Sequence, residues 1–189
     1  MSEIKQMPSN ADAEKALISC MIQFPEQVMP DAKARLEDSH FYTPALRKIF
    51  SALIDLDSDR ANPEFDLIVL STELDSRGDL ESIGGMGTLA DLMDDVPSAS
   101  VFPKYLELVE TEWKKRRAIR SANEAAAKAY DAHSGEDIDG VLKNLGNTCD
   151  DIIISNSTES FTEIKPALNR TLETIMERHE LGGSIPGIS

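Results

Sequence analysis

Apolar residues recur at steps of three and four along most of this 189-residue chain, which is the spacing of one face of an α-helix. Asn10, Thr43 and Asp66 precede three of these runs and have side chains that suit helix N-caps. The pattern predicts an all-α protein. We expect a flexible arm at residues 1–9 and a compact helical bundle at residues 10–100.

A glycine-rich turn interrupts the bundle before its last short helix. Gly84, Gly85 and Gly87 are expected to supply the backbone freedom for a tight reversal of the chain. Leu89 and Leu92 then lie on one apolar helical face. No side chain in this stretch has the chemistry of a catalytic group, so we interpret it as structural.

The chain beyond the bundle predicts two long helices in an antiparallel, protruding hairpin at residues 101–155. The first runs from Phe102 to about Ala132, and its second half is rich in alanine. Gly135 is expected to end it, and a new apolar stripe begins after Asp137. A two-helix hairpin buries only one side of each helix by itself, so we expect its outer face to pair with another copy of the chain. The residues assigned to that oligomer face are Ala122, Ala126, Ala129, Leu142, Leu145 and Ile152.

A polar break at residues 156–160 separates the hairpin from a last predicted helix on a charged, tethered segment (residues 156–189). The helix carries a narrow apolar stripe, with no core of its own to join. We expect it to dock in a groove of another domain or subunit. The alternative is that it folds back onto the bundle. The stripe consists of Ile164, Leu168, Leu172 and Ile175.

Composition narrows the possible partners. The formal net charge of −15 repels phosphate backbones, so we do not expect this chain to bind DNA tightly by itself. Cys20 and Cys149 both fall within apolar helical faces, which favours two buried thiols over a disulfide or a metal site. No apolar run approaches the length of a membrane span, and we expect a cytoplasmic protein without membrane contact.

The sequence offers no constellation for catalysis. It lacks the Gly-x-x-x-x-Gly-Lys-Ser/Thr loop that binds nucleotide phosphates, the Gly-x-Ser-x-Gly elbow and any Cys-x-x-Cys pair. Its three histidines do not have the spacing of metal ligands to one another. We therefore expect no catalytic, cofactor or metal site in these residues.

One basic cluster lies in the middle of the first long helix, at residues 114–117 and Arg120. It has three interpretations: a solvated face, a phosphate-binding patch, or an interface for an acidic region of a protein partner. The negative net charge disfavours phosphate binding. Lys114, Arg117 and Arg120 are the candidate partner patch. The glutamates that would balance a solvated face are Glu107, Glu110 and Glu112.

Several separated stretches resemble, in the same order, the amino-terminal domain of bacterial replicative DNA helicases, the DnaB family. One motif alone is weak, but the register of all of them makes coincidence implausible. The matching stretches are Pro8 to Leu17, Phe41-Tyr42-Thr43-Pro44 with Arg47 to Phe50, Leu80 to Gly85, Leu89-Ala90-x-Leu92, Val96-Pro97-Ser98-Ala99, and Tyr105 with Leu108, Val109 and Arg116. The chain departs from the family at Ser19, where glycine is usual, at Leu46, where histidine is common, and at Val101, where asparagine is usual.

The resemblance implies a division of labour within a larger protein. In the family, the amino-terminal domains associate through their hairpins into a collar on a hexameric ring, and the collar binds the carboxy-terminal domain of primase and, in some systems, loader proteins. The linker helix docks on the ATPase domain of the neighbouring subunit. This chain is similar to the amino-terminal domain with its linker helix, and the end of the sequence resembles the entry to an ATPase domain that uses ATP and magnesium.

The resemblance therefore implies a non-catalytic assembly module for DNA replication, in bacteria or a phage. Such a module would form homo-oligomers from dimers to hexamers, and would meet DNA only through the full-length ring. The alternative is a free-standing helical adaptor, such as a helicase loader or a phage replication regulator.

Overall fold

A computed structural model describes residues 6–58, 66–94 and 98–154, and within these ranges all regular structure is helical. The all-α prediction is confirmed. The α-helices are α1 (Ala11–Gln23), α2 (Pro25–Arg35), α3 (Pro44–Ser58), α4 (Leu67–Ser76), α5 (Gly85–Asp94), α6 (Phe102–Asp131) and α7 (Gly135–Ile154). Two short 3-10 helices occupy Asp38–His40 and Ala99–Val101.

The structure separates into two compact units, one through Tyr130 and the other from Asp131. The first contains α1 to α5 and nearly all of α6, and the second contains α7. The antiparallel packing of α6 against α7 and the predicted domain boundaries stay predictions. None of the described helices is both long and apolar enough to cross a membrane.

Helix α1 lies at the centre of the first unit and packs against α2, α3 and α5. Its predicted apolar stripe is buried, and Leu17, Cys20 and Met21 have no accessible surface. Side chains from the other helices of this unit complete the core, together with Phe41 just before α3. Phe41 and Phe102, at the start of α6, are the two largest of its fully buried side chains. Burial of these large side chains provides most of the favourable free energy of folding.

The helix starts show why these segments fold locally as they do. The Asn10 side chain accepts a hydrogen bond from the Ala13 backbone N–H at 3.0 Å, and Asp66 caps α4 in the same way. The Thr43 carbonyl accepts from the Arg47 N–H, so Thr43 occupies the predicted position before α3. The Asn10 and Asp66 side chains satisfy backbone N–H groups that a helix terminus leaves without a partner.

The turn before α5 depends on two of the three predicted glycines. Gly84 and Gly85 have positive φ angles of 103° and 72°, a region that residues with a side chain rarely adopt. Gly87 lies inside α5 and has no positive φ, so its predicted contribution to the reversal is wrong. The backbone has already entered the helix at Gly85, and helical geometry needs no special freedom at the third glycine.

The start of α7 also differs from the prediction. Gly135 is the first residue of α7 and does not end α6, which stops at Asp131. Ser134 and Asp137 form a reciprocal cap: the Ser134 hydroxyl accepts from the Asp137 N–H, and the Asp137 carboxylate accepts from the Ser134 N–H, both at 3.1 Å. The hydrogen bond from the Ser134 side chain, with those from the backbone of residues 133 and 134, lowers the pKa of Asp137.

Candidate assembly surface

Helix α7 carries a broad apolar face, and none of its residues is fully buried. One half of this face is a stripe of half-buried residues whose spacing alternates between three and four: Ile138, Val141, Leu145, Thr148 and Ile152. The other half lies beside it and is exposed. Leu142 and Ile153 on this second half are 58% and 67% accessible. Side chains of this kind are usually covered in a folded protein.

The exposed half of the α7 face is formed by Leu142, Cys149 and Ile153, which are seven and four residues apart. Residues at this spacing share one side of a helix. We call these three residues the α7 exposed stripe. Cys149 was predicted to be buried, and this prediction is wrong: its thiol is exposed, because it lies beside the half-buried stripe and not within it.

The second half of α6 shows the same kind of surface within the first unit. Ala122, Ala126 and Ala129 are exposed there, and Ile119 and Tyr130 on the same side are 39% and 91% accessible. Small side chains let a partner helix approach closely. The structure thus leaves these three predicted alanines accessible on α6.

The three α7 residues predicted for the oligomer face divide between the two stripes. Leu142 is exposed, whereas Leu145 and Ile152 lie on the half-buried stripe. Their participation in an oligomer is a proposal taken up below. The predicted docking stripe of the last helix (Ile164, Leu168, Leu172 and Ile175) lies outside the described residues.

The basic cluster of α6 contains one residue with a structural role. Arg116 is 3% accessible and donates hydrogen bonds to the backbone carbonyls of Pro8 at 3.0 Å and His40 at 2.6 Å. Its guanidinium lies 5.6 Å from the centre of the Tyr42 ring. Burial lowers the pKa of Arg116, and the Glu14 carboxylate opposes this effect. Arg116 therefore links α6 by hydrogen bonds to two backbone segments that are distant in sequence.

Of the glutamates expected to balance the basic cluster on a solvated face, Glu112 does so and Glu110 does not. Glu110 is buried and forms a two-point contact with Arg35 of α2, at 2.9 and 2.6 Å. A bidentate contact of this type is strong and directional. Glu112 does pair within the helix, accepting from Lys115 at 2.7 Å. Glu110 thus joins α6 to α2 and does not belong to a solvated face.

The three residues of the predicted partner patch remain accessible to different degrees. Arg120 is exposed, and Lys114 and Arg117 are half-buried. Burial lowers the pKa of Lys114. The Arg117 guanidinium lies 5.1 Å from the centre of the Trp113 ring, a distance at which a cation is attracted by an aromatic face. The structure places them on one side of α6, three residues apart.

An aromatic cluster lies beside this patch, and the sequence pattern did not predict it. The His40 ring stacks on the Trp113 ring with centroids 4.2 Å apart, and the Trp113 indole N–H donates to the Ser39 hydroxyl at 3.0 Å. Burial lowers the pKa of His40 to about 4, with smaller effects from nearby cations including Arg116. An isolated histidine and an isolated tryptophan, far apart in sequence, give no periodic signal that would bring them together.

Ser19, Leu46 and Val101, the three positions at which the chain differs from the family pattern, pack in or against the core. The Ser19 hydroxyl donates to the Leu92 carbonyl at 2.7 Å, and Gln23 donates to the Met93 carbonyl at 3.3 Å. Both acceptors belong to the last turn of α5, where carbonyls lack helical partners. Leu46 is buried and Val101 packs partly buried against the core.

Groups that could perform chemistry are scarce in the described part of the chain. No cluster of three or more His, Cys, Asp or Glu residues there could hold a metal ion. Burial raises the pKa of the Cys20 thiol to about 11, which keeps it protonated and unreactive. The surfaces described above are suited to contacts with other proteins.

Comparison with known proteins agrees with this arrangement. Residues 6–111 match the family model described as DnaB-like helicase N terminal domain. The chain is 29% identical over 181 residues to the replicative DNA helicase DnaC of Bacillus subtilis (strain 168), covering 96% of this chain and 39% of that protein. It is 30% identical over 181 residues to the replicative DNA helicase DnaB of Geobacillus stearothermophilus, with the same coverage of 96% and 39%.

A solved structure gives the same result. The crystal structure of the N-terminal domain of DnaB helicase from Mycobacterium tuberculosis superposes with a TM-score of 0.66 at 29% identity, covering 73% of this chain and 97% of the other. The chain spans 39% of the length of the two full relatives named above. With the family model matching more than half of its residues, this chain belongs to the family of DnaB-like helicase N-terminal domains.

Proposed function

We propose that this chain is the assembly and docking part of a replicative DNA helicase. It joins copies into an amino-terminal collar and binds a partner such as the carboxy-terminal domain of primase or a loader protein. Its linker helix connects the collar to an ATPase domain, which uses ATP and magnesium to unwind DNA in the cytoplasm. The proposed division of roles is supported by family membership, by the replicative helicases among the relatives, and by the surfaces described above.

The α7 exposed stripe is the observation that carries this proposal. Fully burying a leucine or isoleucine side chain stabilises a complex by about 1.5–3 kcal/mol, and a symmetric contact counts each residue twice. Association also costs translational and rotational freedom, so a contact of this size supports a dimer and larger assemblies need further surface. The alanines of α6 provide such surface, since they allow close approach of a second helix.

The test is the mass of the 189-residue chain in solution, by light scattering across a concentration series. We expect dimers or larger species at micromolar concentration. Leu142→Glu places a charge in the α7 exposed stripe and should yield monomers. Asn147→Glu adds the same charge to the polar side of the same helix and should leave the mass unchanged. Circular dichroism verifies that both variants retain their helices.

Two outcomes contradict the proposal. One is a wild-type chain that is monomeric throughout the concentration series. The other is a Leu142→Glu variant that associates as strongly as Asn147→Glu does. The second outcome would place the contact between copies elsewhere on the molecule.

The partner patch is tested separately, by calorimetric titration with a primase carboxy-terminal domain. Replacing Lys114, Arg117 and Arg120 by alanine should weaken binding if they contact an acidic region of the partner. Lys104→Ala, at an exposed lysine near the start of the same helix, is the control. Equal affinity of the triple variant and the wild type would assign these cations to a solvated face.

A further inference from the structure

A groove lies in the first unit between the end of α2, the 3-10 helix at Asp38–His40 and the second half of α3. Its volume is about 670 Å³. The α3 side is formed by residues 50–58, which extend about 12 Å along that helix at 1.5 Å per residue. That length corresponds to about two turns of an opposing helix.

The floor of the groove is apolar. Leu36 and Phe50 line it and are 6% and 3% accessible. Ile54, one helical turn after Phe50 on the same side of α3, also lines the groove and is half-buried. Ile54 therefore offers more apolar surface to an occupant than Leu36 or Phe50 does.

The rim of the groove is acidic. Glu37 and Asp38 are exposed, and neither forms a salt bridge with any residue in the described part of the chain. Asp55 pairs with Arg77 at 2.9 Å and still has 64% of its side chain accessible. The one lysine of the lining, Lys33, is already paired with Asp57 beside the groove. The lining therefore carries three carboxylates and one ammonium group, a balance that repels phosphate and disfavours nucleic acid as the occupant.

We propose that this groove receives a short, basic amphipathic helix from a partner protein. Its apolar side chains contact Ile54 and the floor beneath it, and its lysine or arginine side chains pair with Glu37 and Asp38. Helix-in-groove recognition of this type combines apolar anchors one turn apart with charges at the rim. The charge complementarity sets the choice of partner and speeds encounter.

The groove lies next to the basic patch, and this position makes the selection of a partner segment more specific. Ser39 at the groove edge is hydrogen-bonded to Trp113, and the next residue of α6 is Lys114 of the patch. Two neighbouring surfaces thus carry opposite charge. An acidic segment is attracted to the patch and repelled by the groove, so the two surfaces select different segments of a partner.

The experiment measures binding of a fluorescent synthetic helix with leucines four residues apart and lysines flanking them. A matched peptide has glutamates in place of the lysines. Both are titrated with the 189-residue chain over a salt series. The groove variant is Glu37→Lys with Asp38→Lys. The control is Glu81→Lys with Asp91→Lys, which makes the same change in net charge at two exposed residues outside the groove.

We expect the lysine peptide to bind and the glutamate peptide not to bind at the groove. The groove variant should weaken binding by about tenfold or more, because repulsion replaces attraction at the rim. The control should change it by less than about twofold, as is usual for distant surface charges at moderate salt. Ile54→Ala should weaken binding at every salt concentration, since the contact that it removes is apolar.

Equal weakening by the two charge variants would overturn the proposal, because general attraction to the negatively charged chain would then explain binding. Failure of the lysine peptide to bind, or equal binding of both peptides, would overturn it as well. If the groove variant unfolds, Glu37→Gln with Asp38→Asn replaces it. Binding here does not require association through α7. A monomeric chain that binds the peptide would therefore refute the assembly proposal and support this one.

Discussion

The carboxylate of Glu14 provides the clearest quantitative prediction. This residue of α1 is 1% accessible, and its two oxygens accept the backbone N–H groups of Tyr42 and Thr43 at 2.9 and 3.0 Å. A buried acid thus takes the place of water at the entry to α3. A hydrogen bond to a charged group contributes about 1.5–3 kcal/mol, and a buried donor left without a partner costs about 1–3 kcal/mol.

The substitution Glu14→Gln preserves the size of the side chain and one acceptor, but turns an amide NH₂ toward the second backbone N–H. We expect a loss of about 2–4 kcal/mol in the free energy of unfolding, measured by urea denaturation. At about 2–4 °C per kcal/mol for a chain of this length, the melting temperature should fall by roughly 4–16 °C.

The control is Asp12→Asn, an exposed carboxylate in the first turn of the same helix. It removes one negative charge and a favourable interaction with the helix dipole, which costs about 0.3–1 kcal/mol. If Glu14→Gln costs no more than Asp12→Asn, the two hydrogen bonds do not stabilise the fold, and the reasoning from burial is refuted.

Two further changes test the turn before α5 and the aromatic cluster on α6. Gly84→Ala should cost about 1–2 kcal/mol in urea denaturation, because Gly84 has a φ of 103° and a new Cβ would meet the Thr88 side chain. Gly87→Ala, where a Cβ meets nothing within 4 Å, should be neutral or stabilising by up to about 1 kcal/mol, and equal costs would contradict this assignment. Because burial lowers the pKa of His40 from 6.5 to about 4, the unfolded chain binds a proton in this pH window that the folded chain does not. Stability should be complete above pH 6.5 and should fall by at most about 3 kcal/mol as the pH falls to about 4. His40→Phe preserves the stacking on Trp113, and an unchanged pH dependence in this variant would show that His40 is not responsible.

Local signals in the sequence predict most of the helices. The caps at Asn10 and Asp66 and the proline after Thr43 locate three helix starts within a residue, because each acts on backbone groups only a few positions away. The apolar stripe of α1 identifies the core in the same way. Periodicity and capping are short-range effects, so a single sequence contains them in full.

Contacts between segments that are far apart in the chain could not be predicted from the sequence. Nothing near Glu14 indicates that its carboxylate lies against the backbone at Tyr42, and nothing near Arg116 indicates its bond to Pro8. The exposure of Cys149 has the same origin: its helix has a wide apolar face, and the pattern alone does not show which half is covered. The pattern therefore predicts that the helix has an apolar face, whereas the residues of that face that are exposed could be identified only from the structure.

The partners that Arg116 and Glu14 contact are main-chain atoms: carbonyls of Pro8 and His40 for one, amides of Tyr42 and Thr43 for the other. Every amino acid offers the same carbonyl, and all but proline offer the same amide. The residues on the receiving side can therefore diverge during evolution without loss of these bonds.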